Sequence, residues 1–161
     1  EQAIIQLDNP EFAVVDVETT GLYPDSGDRI VEIAIVVIDS RGELICEWSS
    51  KINPGRKVNA TQIHGLTDSD VSASPKFEEV AKKVFELISN RVFVAHNASF
   101  DYRFIRKELG AAGLEIDPIR FPVFDTMSLA SKNFANIPNK KMVNLSFLSI
   151  NLFQFKFYRK K

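Results

Sequence analysis

The chain has 161 residues, 45% hydrophobic and 25% charged, which suits a single globular domain with a sizeable core. A net charge of -1 excludes an extended electrostatic grip on duplex nucleic acid but leaves room for a small footprint on a strand end. Cys46 is alone, so a reducing, cytoplasmic compartment is expected, and the longest apolar run, Ile33 to Ile38, is too short to span a membrane.

Phe12 to Glu18 reads as a first strand, followed by a polar loop (Tyr23 to Asp28) rich in turn residues. Arg29 to Asp39 is rich in Ile and Val, as expected of a strand buried on both faces. Ser40-Arg41-Gly42 then makes a tight connection to a third strand, about Glu43 to Ile52, so these neighbours should run antiparallel. Val58 to Ser74 is irregular, with one helical turn expected near Ala60 to Ile63. Ser74-Pro75 is read as a helix start, and Phe77, Val80, Ala81, Val84, Leu87 and Ile88 fall on one face of that helix. Val92 to Ala95 is a short buried strand. A second helix, with Asn97 as its expected cap, turns Phe100, Phe104, Ile105 and Leu109 inward and ends at Gly110 or Gly113. Phe121 to Phe124 is a further strand candidate; Met127 to Phe134 reads as a helix, Asn136 to Lys141 as a linker, and Leu145, Leu148 and Leu152 mark a last amphipathic segment. Antiparallel strands followed by alternating helix and strand imply an α/β domain: a mixed sheet with helices on both faces.

Asp16-Val17-Glu18 plants two carboxylates in an otherwise apolar strand. Alternation puts Asp16 and Glu18 on the same face, roughly 7 Å apart along the backbone. Such a pair is costly to bury unless a positive charge sits between its members, and a hard divalent cation such as Mg²⁺ or Mn²⁺ answers that need. The same two residues also suit a frayed edge strand, solvated or paired with Arg29. A second constellation, His96-Asn97-Ala98-Ser99-Phe100-Asp101, stands where a strand turns into a helix. Asp101 there either complements the helix dipole or joins the first pair; His96 is either a core or capping histidine or part of the same site. Three carboxylates converging from these places would hold two metal ions about 3.5 to 4 Å apart.

Together these segments resemble the DEDD exonucleases of the ribonuclease H-like fold, in particular the epsilon-type proofreading branch of DNA polymerase III. Asp16 to Leu22 looks like the first exonuclease motif and His96 to Asp101 like the second. Ile63-His64-Gly65-Leu66-Thr67 and Phe124-Asp125-Thr126 match intervening segments. The resemblance implies a 3'-5' exonuclease that uses two divalent cations (Mg²⁺ or Mn²⁺) on the 3' end of single-stranded DNA, with RNA a possible substrate and polymerase subunits as possible partners. It implies Asp16, Glu18 and Asp101 as metal ligands and catalytic residues. Thr19, Thr20, Gly21 and Leu22 would line the terminal-nucleotide pocket, with His64, His96, Asn97 and Phe100 beside it, while Asp125 and Thr126 are expected to be structural.

The family's third motif, a histidine followed five residues later by an aspartate, has no counterpart here: neither residue type follows Asp125. The expectation is a single exonuclease domain over residues 1–161, incomplete at its C-terminus and weakly active or inactive as it stands. A binding module of the same fold without catalysis is the alternative.

Overall fold

The computed structural model describes residues 9–117 and 122–128. Five strands form one mixed sheet in the order β3-β2-β1-β4-β5: β1 (Phe12–Thr19), β2 (Ile30–Ile38), β3 (Leu44–Lys51), β4 (Val92–Ala95) and β5 (Val123–Asp125). β1, β2 and β3 pair antiparallel, whereas β4 runs parallel to both β1 and β5. The expected mixed α/β sheet is therefore present, with β1 at its centre.

Four helices are described: α1 (Thr61–His64), α2 (Asp68–Val71), α3 (Phe77–Ile88) and α4 (Ala98–Ala111). The apolar stripe of α3 (Phe77, Ala81, Val84, Leu87, Ile88) and that of α4 (Phe104, Ile105, Leu109) bury against Ala13, Val15 and Val17 of β1 and Ile33, Ile35 and Val37 of β2. Val14, Val36, Ile38 and Val94 form a second buried cluster on the opposite face. The helix expected over Met127 to Phe134 is described only in its first residues; the linker Asn136 to Lys141 and the segment carrying Leu145, Leu148 and Leu152 lie outside the described residues. Among the described residues no helix is long and apolar enough to cross a membrane.

α3 begins at Phe77, not at the expected Ser74 cap. The Pro75 carbonyl accepts the Asn53 N–H at 2.9 Å, which ties this segment to the end of β3 rather than to a helical turn. The Glu79 carboxylate instead accepts the Lys76 backbone N–H at 2.7 Å, fixing the start there. α4 runs through Gly110 and stops at Gly113, whose φ of 77° closes the last turn in a region that side chains avoid.

The β1–β2 pairing slips by one residue after Glu18: Glu18 faces Glu32, yet Thr19 faces Ile30. Val31 is the extra residue, and a bulge re-aims the side chain it carries. Val31 packs with Val58, Leu66 and Val71, docking the α1–α2 segment beside the end of β1. Within that segment the Thr67 N–H and hydroxyl both donate to Asp70, at 2.7 and 2.6 Å, and so start α2.

Candidate active site

β1 sends Ala13, Val15 and Val17 toward α3 and α4, so Asp16 and Glu18 project from the other face, in line with Val14. Asp16 is 8% exposed and Glu18 is half-buried. Opposite Asp16 on β2 stands the small Ala34; opposite Glu18 stands Glu32, also half-buried. Directly opposed side chains in an antiparallel pair share a face, and like charges there destabilise the sheet unless a cation lies close by. Glu32 is thus a third carboxylate on the Asp16 face that the sequence reading missed. Its signal was available: one charge in the apolar run Ile30–Ile38, the same anomaly that marks Asp16 and Glu18.

Asp101 arrives from the first turn of α4. β4 pairs with β1 only as far as Val14, which leaves the backbone of β1 beyond that point without a strand on this side. The Asp101 carboxylate takes that place, accepting the Val17 N–H at 3.0 Å while itself only 4% exposed. The second motif is thereby brought to the backbone between the two carboxylates of the first. It is not drawn into a closed cage: among the described residues no three His, Cys, Asp or Glu side chains lie close enough to hold a metal by themselves. All the donors are carboxylate oxygens, which suits Mg²⁺ or Mn²⁺, since Mg²⁺ in particular keeps several waters and binds through one or two carboxylates plus substrate phosphate oxygens.

Beyond Glu18 the chain turns tightly. The Thr19 hydroxyl donates to the Gly21 carbonyl at 2.6 Å. The Thr20 hydroxyl donates to Asp28 at 2.9 Å and accepts the Arg29 N–H at 3.1 Å. Both threonines are buried, while Leu22 stands 58% exposed.

The remaining candidates lie on neighbouring loops. Both His64 ring nitrogens are used inside its own loop: Nδ1 accepts the Leu66 N–H at 3.1 Å and Nε2 donates to the Asn59 carbonyl at 3.1 Å. His96 Nδ1 donates to the Thr126 hydroxyl at 3.2 Å, which in turn donates to the Ala95 carbonyl at 3.3 Å. Asn97 occupies the position before α4 but does not cap it through its side chain; it is in the left-handed region (φ 69°), which asparagine tolerates. Phe100 turns toward the helix-side core, its ring 5.0 Å from Phe104, on the face of the sheet away from Asp16 and Glu18.

Asp125 is structural, as expected. It accepts N–H groups from Asn97 (3.1 Å) and Met127 (2.9 Å) and the Ser128 hydroxyl (3.1 Å), tying the end of β5 to the start of α4. Burial pushes this carboxyl up, but the backbone N–H groups of Met127, Asn97 and Ala98 and the Ser128 hydroxyl outweigh it and hold the group below its ordinary value. A depressed folded pKa adds stability that is complete above the unfolded value of about 4 and disappears as pH falls through the lower folded value. Asp125→Asn should therefore flatten the acid limb of a stability-against-pH curve below about pH 4, and an unchanged limb in urea titrations would refute this.

The sequence profile of the RNase T family, described as exonuclease, matches residues 13–151. The chain is 37% identical over 142 residues to the 3'-5' exonuclease DinG of Bacillus subtilis, covering 87% of this chain and 15% of that protein. It is 39% identical over 131 residues to a DNA polymerase III subunit epsilon-like protein of Rhodobacter capsulatus, covering 80% of this chain and 18% of that one. It thus spans less than a fifth of the length of these relatives. Among solved structures, the zinc-bound ExoI–ssDNA complex of E. coli superposes with a TM-score of 0.71 at 19% identity, over 82% of this chain and 31% of that one, and so shares the fold. With an exonuclease profile covering most of its length and relatives of this identity, the chain belongs to the RNase T exonuclease family.

Proposed function

We propose that this chain is a metal-dependent 3'-5' exonuclease domain that hydrolyses the terminal phosphodiester of single-stranded DNA and releases nucleoside monophosphates. The observation that carries the reading is the buried Asp16 beside Glu18 on one face of β1, with Asp101 bonded to the backbone N–H between them. In this reading Asp16, Glu18 and Asp101 hold two Mg²⁺ or Mn²⁺ ions, which when bound supply an activated water and stabilise the leaving oxygen. The carboxylates set the charge of the site; Thr19 to Leu22 receive the terminal nucleotide; His64, His96 and Asn97 support the walls, while Phe100 braces the start of α4 from the core side. The names of the relatives support the 3'-5' direction and an association with polymerase subunits.

A second reading, a binding module of the same fold, is favoured by one feature: among the described residues no three His, Cys, Asp or Glu side chains lie close enough to hold a metal by themselves. The two readings part in one experiment. Matched 5'-labelled DNA and RNA single strands are incubated with Mg²⁺ or Mn²⁺ for extended times, and Mn²⁺ binding is followed separately by electron paramagnetic resonance. Stepwise shortening of the DNA strand with Mn²⁺ uptake supports the exonuclease. Uptake and strand binding with no shortening supports the binding module, and faster loss of RNA moves the substrate to RNA.

A further inference from the structure

The loop after Glu18 is built around a carboxylate that the site described above does not use. Asp28 Oδ1 accepts the Thr20 hydroxyl at 2.9 Å and Oδ2 accepts the Tyr23 N–H at 3.1 Å; the Asp28 N–H returns to the Tyr23 carbonyl at 3.2 Å. Arg56 closes the arrangement from the far side, 3.4 Å from Oδ1 and hydrogen-bonded to the Gly27 carbonyl. Gly21 lies so close over this carboxylate that a Cβ there would sit 2.6 and 2.7 Å from Asp28 Cγ and Oδ1. Asp28 cannot swing aside without releasing Thr20, Tyr23 and Arg56 together, so glycine at position 21 and aspartate at position 28 require each other. Lys107 of α4 adds a bond of 2.5 Å to the Pro24 carbonyl, fixing the far end of the loop.

What this rigid loop displays is apolar. Leu22 and Tyr23 are 58% and 63% exposed, immediately after the strand that carries Asp16 and Glu18. Folding gains little from two large side chains left in water, whereas nucleobases stack on such surfaces whatever their identity.

We propose that Asp28 is a positioning residue of the substrate site: by gripping Thr20 and Tyr23 it holds Leu22 and Tyr23 proud as a stacking face for the unpaired terminal base. This rests on the exonuclease reading, and adds Tyr23 and Asp28 to it. Asp28 acts through the loop and touches no reacting atom.

The test compares two oligonucleotides, one with a normal 3'-terminal nucleotide and one with a 3'-terminal abasic sugar, each ending in a phosphorothioate linkage to slow cleavage. Affinities are measured by fluorescence anisotropy in Mn²⁺ for the wild type, Asp28→Asn, Asp28→Ala and Tyr23→Ala, with Mn²⁺ binding measured separately. The wild type should prefer the terminal base by about tenfold. Both Asp28 variants and Tyr23→Ala should lose most of that preference with Mn²⁺ affinity unchanged. A preference that survives in folded Asp28→Asn or in Tyr23→Ala, or equal weakening of both oligonucleotides, overturns the inference while leaving the exonuclease reading intact. Tyr23→Ala removes an exposed side chain, so it reports even where an Asp28 variant fails to fold. A wild-type protein that takes up no Mn²⁺ and binds neither strand overturns the exonuclease reading and this inference with it.

Discussion

Asp16→Asn is expected to lower strand shortening by about 10³-fold or more, since it removes a charged oxygen from the point where the ions would bind. Asparagine keeps the shape of the side chain, so packing against Ala34 survives and the sheet should fold normally. Removing one of several like charges on a crowded face relieves repulsion among them. Three measurements check this together: the rate of shortening, the Mn²⁺ titration and the metal-free melting curve. A variant that retains wild-type shortening would remove the metal site from this face of β1. A variant that loses activity only because it unfolds would assign Asp16 to the core.

Asp16 and Glu18 were legible because they break a local rule, charge within an apolar strand, and strand alternation settles their common face. Glu32 breaks the same rule but passed unread, because its run was judged by its eight apolar members. Its partnership with Glu18 depends on the register of two strands and on the bulge at Val31, which no short window contains. The Asp101 bond to Val17 spans 84 positions of sequence. Its necessity follows from β4 being shorter than β1, a matter of sheet architecture. The helix starts show a smaller failure of the same kind: Ser74 and Asn97 are good capping residues by type, yet Glu79 fixes the start of α3, and Asp125, from a different strand, receives the N–H groups at the start of α4. Among the described residues the strands and the two long helices were set by periodicity and read as such, as was the antiparallel pairing of β2 with β3, whereas α2 fell in a stretch read as irregular. Asp28 looked like an ordinary turn residue because its value lies in closing a loop on itself across Gly21.

Arg29→Ala is expected to cost about 3 to 5 kcal/mol. Its guanidinium grips Glu108 in a two-pronged pair, Nε to Oε1 at 2.7 Å and Nη2 to Oε2 at 2.7 Å, and reaches Glu78 of α3 at 3.1 Å. Glu108 is 3% exposed and also accepts the Ile30 N–H at 3.3 Å. Deleting the arginine strands that carboxylate in the interior beside the Ile30 N–H, and desolvated charge is what makes the loss large. The reverse change, Glu108→Gln, should cost less, because about a third of the Arg29 side chain reaches water and Glu78 still faces it. Arg29→Met with Glu108→Leu removes both charges and should recover much of the loss. Denaturant midpoints with an unchanged slope measure all three, and an Arg29→Ala loss below about 1 kcal/mol would place the pair among ordinary surface ion pairs. The backbone of residue 29 still binds Thr20 through its own N–H and carbonyl, so the folded variant keeps the loop after β1 in place. Mn²⁺ affinity at temperatures well below its melting point should therefore match the wild type, separating the clamp that holds the fold from the carboxylates that would hold the ions.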